Sequence, residues 1–512
     1  MKLNTEMFKF VRNIFFLVIM ALFIAQGCDD DDKNQNKEPS NGEQPPPNGN
    51  QPPPPEDPTR LINEWILEHM YVYYLWNTHI PRFVNFTLNP DQFFYSILRS
   101  GDNFSVIYDN FQELLSSLSG VTSEAGYHYN LMLLDENSSD VIGYVAYIKP
   151  GTPAEKAGLK RGDYFMQVNN TQITTQNYGA LMQETTKPHT LGLVELSEEG
   201  VVGDIQQHMS LNVTVYEENP IFLDTVYHIK NKKIGYFVYN FFARDSEVGG
   251  IEYERQLNNL FGKYVEEGID ELIVDLRYNT GGTVITSIAL ASMISNRNKN
   301  DIFGYDEYNS FLDAIFREHE GEDYNTMYFL DDISKIVNGT IVEQVPINKL
   351  PNLNRVFMIV SERSASSSEM LINSLRPYMG DENVVLVGRR TYGKNVGSVL
   401  FYEDDPEKQK INNWGILPIV FKYSNKNKFS DFADGFPPDI DMRETAEIKM
   451  KPLGDIEELL LATTLNEIFG NKEIKRQNIK NNNEIISSAT DLNPARNNMI
   501  MYDRKNGLFG RN

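Results

Sequence analysis

The fold of this chain is interpreted from one turn in its middle, Ser364-Ala365-Ser366-Ser367-Ser368-Glu369, which follows an apolar run at residues 356–360. A short continuous apolar run is typical of a buried parallel strand, and the residues after the turn fit a helix. A serine hydroxyl at such a turn is held exposed, and the first N–H groups of the helix can face an oxyanion. The pattern indicates a catalytic turn, although serine runs also occur as plain helix caps.

A second turn has the same organisation. The run at residues 272–277 has the character of a buried parallel strand, and it breaks at the sequence NTGG before a helical stretch at residues 284–294. Paired glycines let a backbone approach a substrate carbonyl closely. The N–H groups near Gly281 and Gly282 are therefore candidate oxyanion donors, with the amide of Ser367 as the other donor. An ordinary strand-to-helix turn remains the alternative.

A lysine is the nearest candidate for a general base. Lys394 lies 28 residues after Ser366, whereas every histidine precedes the serine turn and none lies in a catalytic-looking segment. A lysine accepts a proton only when neutral, so its surroundings must be apolar enough to lower its pKa, and Tyr392, Val396 and Val399 are compatible with that. A histidine from a distant segment remains an alternative. The histidines are His69, His79, His128, His189, His208, His228 and His319.

Three segments together resemble the signature blocks of the carboxy-terminal processing serine peptidases, also called tail-specific proteases. The segments are DLRYNTGG at 275–282, SASSSE at 364–369 and TYGK at 391–394. The resemblance covers roughly residues 60–465 and implies an α/β fold with a Clp protease/crotonase-like catalytic core. It also implies that Ser366 is the nucleophile and Lys394 the general base. Many family members place Gln four residues after the lysine, where this chain has Ser398, whose hydroxyl can accept a hydrogen bond in that orienting role.

A further segment resembles the central motif of a PDZ domain. The sequence VAYIKPGTPAEKAGLKRGD at 145–163 places a proline in the first turn of a short helix and a glycine at its end. PDZ domains bind a free carboxylate with backbone N–H groups and add the peptide as a strand. The matching loop here contains Gly126, Tyr127 and His128, which are the candidate peptide-binding residues. Residues 102–105 resemble the block that precedes the PDZ module in the same family.

The amino terminus predicts export and lipidation. Basic residues precede an apolar run at residues 14–25, which is short for a membrane span and fits a secretory signal. The sequence AQGC that ends at Cys28 resembles a bacterial lipobox, so we expect cleavage before Cys28 and anchoring by its lipid. An uncleaved membrane anchor is the alternative. The acidic run at residues 29–32 is either a sorting signal for surface display or a solvated spacer.

Composition excludes several classes of function. Cys28 is the only cysteine, so lipidation leaves no thiol for a disulfide or a cysteine-ligated metal site. A net charge of −24 argues against nucleic acid as a partner and against electrostatic attachment to anionic lipid. The hydrophobic content of 41% is ordinary for globular domains, and 512 residues can bury several cores.

These observations divide the chain into six predicted parts. They are a lipoprotein signal peptide at 1–27, a Pro/Asn-rich tether at 28–58, an N-terminal helical region at 59–120, an inserted PDZ-like β-rich domain at 121–215, a serine peptidase core at 216–470 and a polar C-terminal tail at 471–512. The tail is Asn-rich, and within it residues 498–503 are a candidate edge strand.

The predicted function is a lipid-anchored endopeptidase of the bacterial cell envelope, on the periplasmic face or the cell surface. It would cleave polypeptides near their carboxy termini through a Ser366 acyl-enzyme with Lys394 as base, and the PDZ-like domain would recruit or gate them. This mechanism needs no metal or organic cofactor. The alternatives are an inactive peptide-binding lipoprotein on the same fold and a crotonase-like acyl-CoA enzyme.

Overall fold

The structure, a computed structural model, describes residues 57–134, 138–197, 200–247, 249–337, 339–470, 485–497 and 501–504. The predicted signal peptide, Cys28 and nearly all of the predicted tether lie outside the described residues. Among the helices in these ranges, none combines the length and the apolar character that a membrane crossing requires.

The described chain begins with a helical region. Asp57 caps the first helix by accepting a hydrogen bond from the backbone of Thr59, and Pro58 occupies the first turn, where its missing N–H has no intrahelical acceptor. The apolar face of that helix, including Ile66 and Met70, is buried in the main core. The elements are α1 Pro58–Tyr73, α2 Pro90–Ser96, β1 Val106–Tyr108 and α3 Phe111–Leu118.

A β-rich region follows. Its main sheet has the order β3-β4-β5-β7-β8, all antiparallel, with β6 on β5, while β2 and β9 pair at its boundary. The elements are β2 Val121–Glu124, β3 Tyr127–Leu133, β4 Val141–Ile148, α4 Pro153–Ala157, β5 Tyr164–Val168, β6 Thr171–Gln172, α5 Tyr178–Gln183, β7 His189–Leu196, β8 Val202–Leu211 and β9 Thr214–Glu217.

The remaining elements build two larger sheets, a two-stranded sheet of β16 and β17, and the covering helices, and β24 joins the sheet of the β-rich region. They are β10 Ile221–Ile229, β11 Lys232–Tyr239, α6 Glu252–Glu267, β12 Glu271–Asp275, β13 Gly282–Thr283, α7 Val284–Ser295, β14 Ile302–Tyr308, α8 Ser310–Glu320, β15 Thr326–Tyr328, β16 Asp332–Val337, β17 Thr340–Pro346, β18 Val356–Val360, α9 Ser367–Met379, β19 Val384–Gly388, β20 Val396–Tyr402, α10 Pro406–Gln409, β21 Gly415–Leu417, β22 Ile419–Asn425, β23 Ile440–Asp441, α11 Leu459–Ile468, β24 Ile485–Ser488, α12 Pro494–Asn497 and β25 Met501–Arg504. Short 3-10 turns occur at Asn77–His79, Glu184–Thr186, Asp381–Asn383, Glu444–Ala446 and Ala489–Leu492.

A sheet that is parallel except for its edge strand β10 positions the site. Its order is β10-β11-β12-β18-β19-β23, and β12 and β18 are adjacent, parallel and buried along their whole length. The carboxyl ends of adjacent parallel strands meet at one sheet edge, so the turn after Asp275 lies beside the turn after Val360. The predicted α/β class, with a β-rich insertion and an N-terminal helical region, is confirmed.

The second sheet of the core carries the lysine segment. Its order is β1-β21-β20-β22-β14-β15, and β25 from the C-terminal tail pairs with both β20 and β13. The other described strand of the tail, β24, adds to the edge of the β-rich region by pairing with β3. Parts of the polar tail therefore belong to two sheets.

Candidate active site

Ser366 stands at the point where the chain enters α9. Its backbone has φ 60° and ψ −113°, a positive φ that is uncommon for a residue other than glycine. The residue is 0% exposed, and its Oγ makes no hydrogen bond with any described residue. Most buried polar groups are hydrogen-bonded, so an unpartnered hydroxyl on a strained backbone is typical of a functional position.

Glu369 joins the serine turn to the lysine segment. Its Oε2 accepts hydrogen bonds from the backbone nitrogen of Ser366 at 2.9 Å and from that of Lys394 at 2.8 Å. Its Oε1 accepts from the backbone nitrogen of Gly393 at 2.7 Å and from Thr391 Oγ1 at 2.6 Å. The serine turn and the lysine segment are thus held on one buried carboxylate, which brings the backbones of Ser366 and Lys394 together. Burial raises the pKa of Glu369.

Lys394 is fully buried with its amine against an aromatic ring. The Nζ atom lies 4.7 Å from the centroid of the Phe104 ring. Burial lowers the pKa of Lys394 to about 7, although the carboxylates of Asp102 and Glu369 act in the opposite direction. An amine with such a pKa is substantially neutral near pH 7 and can accept a proton from a hydroxyl.

The N-terminal region supplies the ring that covers the lysine. Asp102 Oδ1 accepts hydrogen bonds from the backbone of Phe104 at 2.9 Å and of Ser105 at 3.0 Å, and Tyr74 donates to Oδ2 at 2.7 Å. Ser105 Oγ in turn accepts a hydrogen bond from Ile419 of β22 at 2.9 Å. The sequence marked residues 102–105 only as a family-like block, since nothing local shows that Phe104 reaches Lys394.

The two predicted glycines differ in what their backbones do. The N–H of Gly281 donates to Asn279 Oδ1 at 2.9 Å, so the prediction that Gly281 is an oxyanion donor is corrected because the Asn279 side chain occupies its N–H group. Gly282 has φ 140°, and a Cβ there would lie 2.0 Å from the carbonyl oxygen of Phe242. Only glycine fits such a close backbone approach.

Ser367 connects the N-terminal end of α9 to the turn that contains Gly282. It is the first residue of α9, where an N–H has no intrahelical acceptor, and its Oγ donates to the carbonyl of Gly282 at 2.8 Å. The amides of Gly282 and Ser367 therefore lie in adjoining turns beside Ser366 and are the candidate oxyanion donors.

Ser398 does not orient Lys394 by a hydrogen bond. Its Oγ is buried in β20 and makes no hydrogen bond within the described ranges, which corrects the prediction. Ser398 lies in β20, whereas Lys394 lies in the loop before that strand. The strand also has a register shift between Gly397 and Ser398, which re-aims the side chain.

The candidate peptide-binding residues lie partly in a strand. Gly126 lies in a turn with φ 91°, whereas Tyr127 and His128 belong to β3. The loop is therefore shorter than the sequence predicted. Tyrosine favours strands, and the Tyr127 hydroxyl lies 2.9 Å from His189 Nε2 inside the core of the β-rich region. His128 stacks on Tyr147 at 4.8 Å between ring centroids. Burial lowers the pKa of His128 to about 3, so its buried side chain is neutral, whereas the predicted peptide contact is made by backbone N–H groups of this segment.

A buried charge network lies under the glycine turn. Arg277 pairs with Asp275 at 2.7 Å, with Glu458 at 2.7 Å and with Glu444 at 3.0 Å. Arg161, from the PDZ-like motif, reaches the same Glu444 at 2.6 Å. The sequence missed these partners because they come from segments far apart along the chain.

Comparison with protein families gives three matches. Residues 233–442 match the model of peptidase family S41, residues 61–106 match the peptidase S41 N-terminal domain, and residues 144–194 match the PDZ domain. The matched ranges include Ser366, Lys394 and Phe104.

Curated relatives and a solved structure agree with these matches. The chain is 23% identical over 327 residues to the carboxyl-terminal-processing protease of Picosynechococcus sp., covering 60% of this chain and 66% of the relative. It is 22% identical over 283 residues to a CtpA-like serine protease of Staphylococcus aureus (strain COL), covering 53% and 48%. The matches thus span about half to two thirds of the length of these relatives. A crystal structure assigned to the S41 proteases, from Bacteroides fragilis, superposes with a TM-score of 0.62 at 25% identity and covers 79% of this chain and 97% of its own.

Proposed function

Because the chain belongs to peptidase family S41, we propose that it is a serine endopeptidase that cleaves polypeptides near their carboxy termini through an acyl-enzyme on Ser366. One observation carries the proposal: the carboxylate of Glu369 positions both Ser366 and Lys394. Glu369 Oε2 accepts hydrogen bonds from the backbones of both Ser366 and Lys394. The Ser366 hydroxyl is buried and has no hydrogen-bond partner among the residues that the structure describes, and burial lowers the pKa of Lys394 to about 7.

The reaction begins with proton transfer from the serine. Neutral Lys394 takes the proton of Ser366 Oγ as that oxygen attacks the substrate carbonyl carbon. The carbonyl oxygen becomes an oxyanion and receives hydrogen bonds from the amides of Gly282 and Ser367. When the C–N bond breaks, the Lys394 ammonium returns the proton to the leaving amine.

Hydrolysis of the acyl-enzyme repeats the cycle with water. Lys394 takes a proton from the water, whose oxygen attacks the ester carbonyl, and then returns the proton to Ser366 Oγ as the ester bond breaks. Each half of the cycle returns Lys394 to its neutral form, and the complete cycle restores the Ser366 hydroxyl. The role of Glu369 is to position both groups through their backbones.

Turnover of a fluorescently labelled unfolded protein tests this proposal. Ser366→Ala and Lys394→Ala should each lower kcat/KM by about 100-fold or more, because each removes a reacting group. Ser116→Ala and Lys408→Ala change the same residue types at exposed positions and should leave it unchanged. Full turnover by Ser366→Ala would reject the proposal.

The location and the anchor are part of the same proposal. The sequence AQGC ending at Cys28 supports a lipid-anchored protein of the cell envelope, and the PDZ region would recruit or gate its substrates. Metabolic labelling with radioactive palmitate should mark the wild-type protein but not Cys28→Ser. Equal labelling of both forms would refute lipidation at Cys28.

A further inference from the structure

The C-terminal tail adds a strand to the edge of the β-rich region. In β24, Ile485 is opposite Met132 and Ser488 is opposite Asn130, and the pairing with β3 is antiparallel. Because β3 begins directly after Gly126, the tail lies along the strand that follows the predicted carboxylate loop. Addition of an extended segment to an exposed sheet edge is how a peptide ligand binds by strand addition.

Side chains hold the tail at this edge. Ile486 and Leu492 pack against the core of the β-rich region. Arg363, three residues before Ser366, pairs with Asp491 at 2.9 Å. The tail is therefore docked beside the serine turn by both apolar and charged contacts.

A buried ion pair fixes the next part of the tail. Arg496 is 7% exposed and lies 2.8 Å from Glu218, which also pairs with Lys149 at 2.8 Å. Burial would raise the pKa of Glu218, but the cations Arg496 and Lys149 outweigh it and hold that pKa well below its usual range. Burying an arginine costs free energy unless the charge is paired, so the contact with Glu218 holds the tail around Arg496 in one position.

The last described strand enters the active site. In β25, Met501 is opposite Gly282 of β13, and Tyr502 is opposite both Thr283 of β13 and Ser398 of β20. Within the described residues β13 and β20 do not pair with each other, so β25 fills a gap one strand wide between them. We call this gap the catalytic slot. One wall carries the candidate oxyanion donor Gly282, and the other continues from Lys394.

We propose that the edge of β3 and the catalytic slot are two parts of one site for an extended polypeptide, and that the chain's own C-terminal segment is its resident ligand. The identification of the slot as a substrate site rests on the proposed function. An external polypeptide binds there only after the tail leaves. A tethered ligand competes at an effective concentration of the order of 1 mM, so the competition is strong even when its intrinsic affinity is modest.

Peptide binding to the inactive Ser366→Ala protein tests this proposal. The probe is a fluorescent synthetic peptide with the sequence of residues 485–504, and fluorescence anisotropy gives its Kd. We expect a form that ends at residue 484 to bind the probe at least about 10-fold more tightly than the full-length protein. Equal affinity of the two forms, or no binding by either, would overturn the proposal.

A matched pair of full-length variants keeps the test valid if the shortened form does not fold. Tyr502→Pro removes an N–H from β25 and breaks its ladder, whereas Tyr502→Val keeps the N–H and favours a strand. In the Ser366→Ala background, the proline form should bind the probe at least about 3-fold more tightly than the valine form. Equal binding by the two forms would overturn the proposal.

The two proposals fail in different ways. If the wild-type protein turns over no polypeptide but the Kd differences appear, the peptidase proposal fails and the tail occupies a peptide site of another kind. If the enzyme is active and the Kd values are equal, the tail is not a competing ligand and the peptidase proposal stands.

Discussion

At the scale of the residue, Lys394 shows which physical effect decides the chemistry. Two carboxylates, Asp102 and Glu369, favour its charged form, while full burial against Phe104 favours the neutral form. Burial is the larger effect, because it lowers the pKa to about 7 in spite of both carboxylates.

The first prediction concerns the pH dependence of catalysis. Only neutral Lys394 accepts the serine proton, so kcat/KM should rise with pH with a midpoint near the pKa of about 7. Steady-state kinetics from about pH 5 to about pH 9 measures this midpoint. Lys408→Ala, at an exposed lysine, should keep the midpoint. A flat profile across the range would contradict the assignment of Lys394 as the base.

The second prediction concerns the stability cost of the same lysine. The unfolded side chain has the ordinary lysine pKa of 10.5, whereas the folded one has a pKa of about 7. Between these values the unfolded chain binds more protons, so the wild type loses stability as pH falls from 10.5 towards 7. Lys394→Met keeps the volume without the charge and should raise the free energy of unfolding at pH 7 by about 2–4 kcal/mol.

Urea unfolding at pH 7 and at pH 10 checks this prediction. The advantage of Lys394→Met should become much smaller at the higher pH, because pH 10 is close to the pKa of 10.5 at which the unfolded wild-type lysine also loses its proton. An advantage of equal size at both pH values would show that packing, not ionisation, is responsible.

At the scale of the element, β13 depends on a backbone contact that admits no side chain. Both Gly282 and Gly151 have positive φ, but a Cβ on Gly282 would lie 2.0 Å from the Phe242 carbonyl oxygen, whereas Gly151 has no atom within 4 Å. Comparing alanine substitutions at these two positions therefore separates the effect of a steric clash from that of backbone strain.

The third prediction uses this pair. Gly151→Ala should cost about 1–2 kcal/mol of stability from strain alone and leave turnover unchanged. Gly282→Ala must also displace β13 from Phe242, and should lower kcat/KM by about 100-fold or more through the oxyanion donor. Thermal unfolding and steady-state kinetics measure both effects. Equal activity of the two variants would argue against a role for the Gly282 amide.

Local signals in the sequence predicted the elements better than their contacts. The turns at Ser366 and Gly282 each follow a short apolar strand, and both positions follow from that pattern. The position of Ser398 was interpreted from a family pattern, but its hydroxyl makes no hydrogen bond within the described residues. The joining role of Glu369 was missed, because its partners Thr391, Gly393 and Lys394 meet it only after folding.

At the scale of the whole molecule, the PDZ region is tied to the peptidase core by buried charges. Arg161 and Arg277 share Glu444, and burial, which would raise the pKa of Glu444, is outweighed by the two arginines, which hold it at about 2. Such a contact resists rotation of the PDZ region, since each charge is costly to leave unpaired in the interior.

The fourth prediction tests that connection. Arg161→Met should lower the free energy of unfolding by about 3 kcal/mol, because it leaves carboxylates buried with a single arginine. Arg389→Met removes partly exposed pairs with Asp441 and Glu362 and should cost less than about 1 kcal/mol. Urea unfolding compares the two variants. Equal costs would show that the buried network does not join the two regions.

The fold of the tail was the part least accessible from sequence. A candidate edge strand at residues 498–503 overlaps the observed Met501–Arg504, but β24 was not predicted. Both strands pair with segments more than 100 residues away, and a polar, Asn-rich sequence carries no local signal for such pairing. Strands formed by long-range pairing become evident only when their partners are in place.

The most direct measurement of the central claim is peptide mapping of a serine-directed phosphonate adduct. The adduct should lie on Ser366, be absent from Ser366→Ala, and form about 100-fold more slowly in Lys394→Ala. Labelling of a different residue, or an equal rate in Lys394→Ala, would contradict a Ser366 nucleophile served by Lys394.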